Sequence, residues 1–383
     1  MPLEGELVVR LPWNGHRVDQ VTLHSSRPFV ASRMLTGKSP DEVVAAVPLM
    51  FSICGGAQRA AAVNALAAAG ACGASAADTG DELDVILETV QEYFWRLLID
   101  WPKAMGREHL AAPVASVRQQ IAADARGLNG SSDEEGATAT HELGASIAAL
   151  AAKYIYGISP GAWLSLGDRA ALQAWIDRGA TLPAVLLGEL VRQMPDVGRS
   201  DVALMPTTTP AALVSAVVPV MGEPHFARTP TWDGVPVETG ALARMCSQPV
   251  VAAQAARHGN AVATRMVARL AELATLLQEL ASARPRVDAP ARIQMFALAP
   301  GDGLAAVQTA RGLLLHRAHL ADGKVRDYQI VAPTEWNFHP DGALVRGLSG
   351  LVADDETQLE QRARVAVQAL DPCVACRIEV GHA

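Results

Sequence analysis

Two short cysteine-containing segments near opposite ends of the chain constrain its fold more than any other feature. Residues 371–377 read DPCVACR and contain a C-x-x-C pair, Cys373 and Cys376, whereas residues 52–58 read SICGGAQ and contain Cys54. Ala57 stands where the second cysteine of another C-x-x-C pair would be. Thiolates are soft ligands that favour iron, zinc or copper(I), and their number and spacing limit which metal fits. The pattern predicts a site that handles metal without completing a catalytic centre.

The cysteines also allow interpretations other than metal binding. Cys373 and Cys376 lie close enough for both sulfurs to face one metal, but the same spacing occurs in thioredoxin-like redox pairs and in half of a zinc site. Zinc sites normally have four ligands in two close pairs, and the sequence has no second pair. For Cys54 the alternative is a buried structural thiol. Cys72 and Cys246 match no motif, so we interpret them as packing residues.

Composition and charge limit the fold class, the cellular location and the binding partners of the chain. Half of the 383 residues are hydrophobic and only 4% are aromatic, which favours closely packed helices over a β-sandwich. The net charge is −8 without a basic stripe, so nucleic acid is not expected as a partner. The acidic N-terminus does not resemble a signal peptide, and prolines interrupt the uncharged stretch 202–222, so no membrane association is expected. A soluble, cytoplasmic protein is therefore expected, and in that reducing compartment an odd number of cysteines, five, favours thiols or metal ligands over disulfides.

The sequence pattern predicts a mainly helical chain with strands near both ends. Residues 7–23 alternate as strands do and contain a possible hairpin turn at Asn14-Gly15, and Ser39 before Pro40 marks a helix start. Residues 128–141, rich in glycine, serine, threonine and acids, predict an exposed loop. Further helices are expected at 60–69, 81–101, 142–156, 169–178, 182–193, 248–283 (the longest) and 356–370, and strands at 305–310, 313–320 and 325–331, with a hairpin turn at 322–323.

Five segments resemble motifs of the nickel–iron hydrogenase large subunit, and they occur in that family's order. Residues 53–55 are similar to its R-I-C-G-x-C motif, and residues 371–376 are similar to its D-P-C-x-x-C motif. Between them, residues 237–245 resemble V-G-P-L-A-R-M, residues 322–329 resemble D-G-K-x-x-x-Y-Q, and residues 333–337 resemble P-T-x-W-N. Any one of these matches would be weak, but together they are specific.

The resemblance implies a fold. The expected class is α+β, mainly α, with a hydrogenase large-subunit-like central bundle of long helices and small peripheral β-elements. A single domain is expected over residues 1–383, with N-terminal strands over about 1–38, a helical body over about 39–300, and a C-terminal β region and final helix over about 301–383. In such a fold the N- and C-terminal cysteine motifs meet in the interior.

Four positions depart from the family pattern in ways that argue against catalysis. In the family four thiolates hold nickel, and the second cysteine of each pair bridges to iron; here Ala57 replaces one bridging cysteine and Ala61 stands where a histidine is usual. Val30 replaces the glutamate that passes protons, and valine has no proton to give. Glu379 stands at the histidine after which family precursors are cut, so no cut is expected there. The chain thus resembles the shorter HupK/HoxV-type hydrogenase expression and formation proteins, and we expect it not to be an enzyme.

The resemblance to these maturation proteins implies a scaffold or carrier for iron with cyanide and carbon monoxide ligands. Cys54, Cys373 and Cys376 would bind this iron. Arg311 would lie beside one cyanide, because a guanidinium suits an anionic acceptor, and Thr334 would donate its hydroxyl to the other. The alternatives for these two residues are a surface arginine between strands and a turn threonine after a proline.

The implied partners are the precursor of the hydrogenase large subunit and iron-loading maturation chaperones of the HypC/HypD type. Two other functions are consistent with the same sequence. One is a divergent nickel–iron hydrogenase large subunit with an altered centre, and the other is a metal-free chaperone of the large subunit. Bound metal would exclude the chaperone, and bound nickel would favour the divergent enzyme.

We expect the purified protein to carry iron and no nickel, because Ala57 removes one of the two thiolates that bridge the metals in the family. Elemental analysis of protein from nickel-replete cells measures both metals. Stoichiometric nickel would contradict the scaffold hypothesis.

Overall fold

A computed structural model describes residues 5–27, 30–51, 53–71, 79–127, 133–206, 209–223, 225–282 and 291–382, and this part of the chain is mainly helical. The helices are α1 Val30–Leu35, α2 Pro40–Met50, α3 Gly55–Ala68, α4 Thr79–Trp95, α5 Trp101–Ala104, α6 Ala111–Gly127, α7 Asp133–Ala151, α8 Pro160–Leu164, α9 Arg169–Arg178, α10 Leu182–Gln193, α11 Pro210–Met221, α12 Ala241–Met245, α13 Pro249–His258, α14 Val262–Leu280, α15 Pro333–Asn337, α16 Ala343–Leu348 and α17 Glu356–Leu370. One π-helical turn, Arg96–Asp100, joins α4 to α5, and another, Ala152–Tyr156, follows α7.

The strands form small sheets, so the class is α+β, mainly α, as the sequence predicts. The strands are β1 Glu6–Trp13, β2 Thr22–Ser25, β3 Ala203–Leu204, β4 Val237–Glu238, β5 Ile293–Ala299, β6 Asp302–Thr309, β7 Gly312–Ala321, β8 Lys324–Val331 and β9 Ala375–His382. In the described chain they pair in the orders β2-β1-β9, β3-β4 and β5-β6-β7-β8.

Helix α14 lies at the centre of the helices and is buried from its first residue to Leu277. It packs against α4, α7, α8, α10, α12, α13 and α17. Three charged side chains of α14 are buried, and each is paired with an oppositely charged side chain on another part of the chain. The pairs are Arg265 with Glu238 at 2.7 Å, Glu272 with Arg244 at 2.7 Å, and Arg269 with Asp371 at 4.0 Å. Because buried charges are tolerated only when they are paired, these contacts restrict how the neighbours of α14 can pack.

Strands β1 and β9 bring the two ends of the described chain together. The predicted hairpin turn after β1 is present: the Asn14 side chain accepts hydrogen bonds from the backbone N–H groups of His16 and Arg17. β9 is not predicted by the sequence pattern; it pairs with β1 in parallel and places Cys376 opposite Leu7. Parallel strands need a long crossover connection, which here contains all the helices.

An antiparallel meander of β5 to β8 supports the helix that begins beside Cys54. The three predicted strands are confirmed as β6, β7 and β8, and β5 is an additional strand. Asp322 and Gly323 have positive φ values of 52° and 71°, which matches the predicted two-residue hairpin turn. Helix α3 packs on β5, β6 and β7. A Cβ atom at Gly303 in β6 would lie 2.3 Å from the carbonyl oxygen of Ala65, so glycine permits this close approach.

Strong local signals explain the helices whose ends were predicted correctly. Ser39 and Glu42 form a capping box at the start of α2. Asp168 and Asp355 cap α9 and α17 by accepting hydrogen bonds of 2.8 Å from backbone N–H groups. Gly179 ends α9 in the left-handed conformation.

Two predictions about helices were wrong. The predicted loop over 128–141 contains the start of α7 at Asp133, where consecutive acids favour a helix N-terminus; residues 128–132 lie outside the described residues. The long helix predicted over 248–283 is divided into α13 and α14, because Gly259 has a φ of 60° that ends the first helix. Helices α6 and α11 were not predicted, and neither were the short helices α1, α8, α12, α15 and α16.

The uncharged stretch 202–222 contains the 12-residue helix α11, Pro210–Met221. Across the described ranges, each helix is too short or too polar to span a lipid bilayer.

Gly303→Ala should destabilise the protein by about 1–3 kcal/mol, because the added methyl group overpacks the contact between β6 and α3. Urea denaturation measures the change. Gly222→Ala is the control, since no atom lies within 4 Å of a Cβ at that position. Equal unfolding midpoints for the two variants would show that α3 can move away without cost.

Candidate functional site

Cys54 lies at the N-terminal end of α3, immediately before its first residue. The side chain of Glu88, from α4, accepts hydrogen bonds from the backbone N–H groups of Gly56 at 2.8 Å and Ala57 at 3.4 Å. One turn further along α3, Gln58 donates its Nε2–H to Cys54 Sγ at 3.7 Å. The Cys54 thiol is half-buried. The Cys54 sulfur therefore has an amide donor one turn along α3, and the partly buried carboxyl group of Glu88 holds the backbone at the start of that helix.

Cys373 follows the end of α17 and contacts Thr334, the second residue of α15. The Thr334 hydroxyl donates to Cys373 Sγ at 3.1 Å and accepts from the backbone N–H of Cys373 at 3.2 Å. Thr334 is buried. The structure thus places Thr334 beside a cysteine of the C-x-x-C pair, and its hydroxyl is already oriented towards a sulfur.

Arg311 lies in the turn between β6 and β7 and links both cysteine segments. Its guanidinium is 2.5 Å from Glu92 and 3.5 Å from Asp371. Burial alone would lower the pKa of Arg311. The opposite effect of its negative neighbours is larger, in the order Asp371, Glu92, Cys54 and Cys373. The pKa is therefore raised and the guanidinium stays charged. Because Arg311 is buried, the alternative of a surface arginine is wrong. Cys54, Cys373, Arg311 and Thr334 therefore lie in one region.

Burial raises the pKa of Cys54 to about 12, and the neighbouring Cys373 raises it too, while Arg311 opposes the shift. Metal ligation requires the thiolate, so a metal that binds Cys54 must displace its proton. Binding at this site is consequently expected to weaken as the pH falls.

Cys376 has different neighbours from the other two predicted ligands. It lies on β9, packs against the hydrophobic core, and has its pKa raised to about 12 by burial and by Glu6. Among the described residues, no three histidine, cysteine or acidic side chains are arranged to hold a metal. The assignment of Cys54, Cys373 and Cys376 as metal ligands stays a prediction. Cys246 is exposed, and Cys72 lies outside the described residues.

A buried cluster of charges beneath Cys373 was not predicted from the sequence. Asp371 lies 2.8 Å from Arg96, and Arg311 and Arg269 lie further away, at 3.5 and 4.0 Å. Burial alone would raise the pKa of Asp371, but these three arginines hold it below its usual value. Two features of the sequence could have indicated this cluster of charges: the aspartate of the D-P-C motif, and the arginines within apolar helical segments.

Two of the residues that replace family motif positions, Ala57 and Ala61, are small and apolar. Ala57 and Ala61 are fully buried and pack with β5, β6 and β7 through Ile293, Val307 and Leu314. Core packing therefore occupies the places where the family has a bridging cysteine and a histidine. Val30 begins α1, and its side chain lies outside the described part.

Comparisons with known proteins relate the chain to hydrogenases and to proteins named for their formation. The family model described as nickel-dependent hydrogenase matches residues 248–379. The hydrogenase expression/formation protein HoxV of Cupriavidus necator is 31% identical over 371 residues, covering 92% of this chain and 91% of HoxV. The hydrogenase expression/formation protein HupK of Azotobacter vinelandii is 32% identical over 389 residues, covering 100% of both chains.

Solved hydrogenase structures share the fold. The Ni-Fe-Se hydrogenase of D. vulgaris Hildenborough in the reduced state gives a TM-score of 0.57 at 17% identity, covering 94% of each chain. The NAD+-reducing NiFe hydrogenase in the H2-reduced state gives a TM-score of 0.51 at 17% identity, covering 93% of this chain and 92% of the other. At these identities the similarity shows the fold alone, and it confirms the predicted large-subunit-like architecture.

The stability of the metal-free protein should fall as the pH rises from about 5 to about 7, because burial raises the pKa of Glu88 from 4.5 to about 7. In this window the folded protein binds a proton that the unfolded chain releases, so raising the pH favours unfolding. Glu88→Gln should flatten this part of the profile. Urea denaturation at several pH values measures it, with Glu360→Gln on the exposed surface as control. Parallel profiles for wild type and Glu88→Gln would show that Glu88 does not retain its proton.

Proposed function

Because the chain belongs to the HupK/HoxV family of hydrogenase expression/formation proteins, we propose that it acts in hydrogenase maturation as a carrier of an iron–cyanide–carbonyl unit. The acceptor would be the precursor of the hydrogenase large subunit. Iron-loading chaperones of the HypC/HypD type would supply the unit, in the cytoplasm. The chain would act as a scaffold and not as a catalyst.

The observation that carries the proposal is that two thiols lie together with one positively charged donor, Arg311, and one neutral donor, Thr334. Cys54 and Cys373 both interact with the buried guanidinium of Arg311, and Thr334 donates its hydroxyl to Cys373. An iron that brings its own cyanide and carbon monoxide ligands needs few ligands from the protein. Soft thiolates suit such an iron, and the positive charge of Arg311 suits an anionic cyanide.

The same residues support a carrier over a hydrogenase. A nickel–iron centre of the family type needs a second bridging thiolate in the first motif, and Ala57 is buried in the core at that position. A carrier must release its cargo, so a site with fewer thiolates than the acceptor is thermodynamically suitable. The acceptor's additional cysteine would form the bond that draws the iron unit across.

Infrared spectroscopy of the anaerobically purified protein tests the proposal, because bound cyanide and carbon monoxide absorb where protein does not. We expect both sets of bands and bound iron in the wild type. Cys373→Ser and Cys376→Ser should each lose most of the iron, since a serine hydroxyl is a poor replacement for a soft thiolate. Cys246→Ser is the matched control, because Cys246 is exposed and lies in no motif.

Each contradicting result identifies a different error. A Cys373→Ser variant that retains as much iron as Cys246→Ser would refute the site assignment. If only the Cys376→Ser variant retains its iron, Cys376 alone is excluded as a ligand. A wild type with neither bands nor metal would refute the carrier and favour a metal-free chaperone.

A further inference from the structure

A continuous row of hydrogen bonds leads from Cys54 into the core of the protein. Gln58 Nε2 donates to Cys54 Sγ at 3.7 Å, and Gln58 Oε1 lies 2.9 Å from His316 Nε2. His316 Nδ1 lies in turn 2.8 Å from the hydroxyl of Tyr328. Gln58, His316 and Tyr328 are each no more than 1% exposed. We call these three side chains the Cys54 relay.

The polarity of the relay follows from the chemistry of its members. Since Gln58 uses its amide N–H on the sulfur, its oxygen faces His316 and must accept a hydrogen from Nε2. Burial lowers the pKa of His316 to about 3, so the ring is neutral and carries one hydrogen. With that hydrogen on Nε2, the unprotonated Nδ1 accepts from the hydroxyl of Tyr328. Every donor in the row therefore points towards Cys54.

The relay is rigid because its members belong to three packed elements. Gln58 lies one helical turn after Cys54 on α3, whereas His316 is on β7 and Tyr328 on the adjacent strand β8. The rings of His316 and Tyr328 meet edge to face at 5.5 Å. A free glutamine amide could present either its oxygen or its nitrogen to the sulfur; in the structure the Gln58 oxygen faces His316, which leaves the amide N–H for the sulfur.

We propose that Gln58, oriented by His316 and Tyr328, is a positioning residue that presents a fixed N–H donor to the Cys54 sulfur and stabilises negative charge on that sulfur. An N–H donor stabilises a negatively charged sulfur more than a neutral thiol. The same donor withdraws electron density from the sulfur, which weakens its bond to a metal. For a metal-bound Cys54 this inference rests on the proposed function, and it gives a reason why the cargo can leave.

The first experiment uses the metal-free protein, so its result does not depend on iron. Iodoacetamide alkylates thiolates, and mass spectrometry of peptides gives a separate rate for Cys54, with the exposed Cys246 as internal reference. Suppose that Gln58→Leu raises the pKa of Cys54 enough to lower its thiolate fraction tenfold. The remaining thiolate is then more nucleophilic, because nucleophilicity rises with the pKa with a Brønsted coefficient of about 0.4–0.5. The Cys54 rate should therefore fall roughly threefold at fixed pH, while the Cys246 rate stays constant.

Tyr328→Phe tests the far end of the relay with a minimal change in shape. It removes the hydroxyl that fixes the His316 tautomer, so the Cys54 rate should fall by a smaller factor than in Gln58→Leu. Matched controls are Gln254→Leu and Tyr156→Phe, which change a buried glutamine and a buried tyrosine in α13 and after α7. A purely structural role would lower stability in all these variants and leave the ratio of the Cys54 and Cys246 rates unchanged.

An unchanged ratio in both Gln58→Leu and Tyr328→Phe, with native circular dichroism, would overturn the proposal. If Gln58→Leu does not fold, Tyr328→Phe decides alone: a lower ratio supports the relay and an unchanged ratio refutes it.

Infrared spectra of the iron-loaded protein extend the test to the bound state. Loss of the N–H donor in Gln58→Leu, or of its fixed orientation in Tyr328→Phe, makes the sulfur a stronger electron donor, so the carbonyl band of both variants should move to lower wavenumber. A band at the wild-type position in both variants would contradict the effect on bound metal. Absence of bands from the wild type would instead refute the carrier function, and the alkylation result would still decide whether the relay acts on Cys54.

Discussion

The buried carboxylate of Asp371 connects the candidate site to the rest of the fold. It follows α17 with a left-handed φ of 55° and interacts with Arg96 after α4, Arg269 on the central helix α14, and Arg311 in the β6–β7 turn. Removal of one partner from a buried ion pair typically costs about 3–5 kcal/mol, because the other charge is left uncompensated. The position of Cys373, two residues later, thus depends on elements from most of the chain.

The charges around Arg311 also determine how the thiols behave. Glu92 and Asp371 balance its guanidinium on one side, while its positive charge still acts on Cys54 and Cys373. This attraction does not outweigh burial, and the pKa of Cys54 is raised to about 12. Metal binding must then displace a proton, which lowers the apparent affinity at neutral pH. Moderate affinity suits the proposed carrier, which must hold an iron unit and then release it.

The departures from the hydrogenase motifs have structural consequences beyond the loss of ligands. Ala57 and Ala61 pack into the core beneath the β-meander, at the positions where the family has a bridging thiolate and a histidine. Cys54 receives its hydrogen bond from Gln58, on the same helix and one turn away. The first cysteine of the motif is consequently kept in a polar, ordered environment although the second has been replaced.

The sequence by itself determined the family-like motifs, the capped helices α2, α9 and α17, the hairpin turns, and the strands β6 to β8. These features depend on neighbours within about four residues, as when Asp168 caps α9 or Gly323 permits a tight turn, so a local pattern is enough to specify them. Tertiary structure alone decided the pairing of β9 with β1, the arginines around Asp371, and the relay from Tyr328 to Cys54. Each of these contacts joins residues far apart in the chain, and the burial that makes them strong exists only after the helices and sheets have packed together.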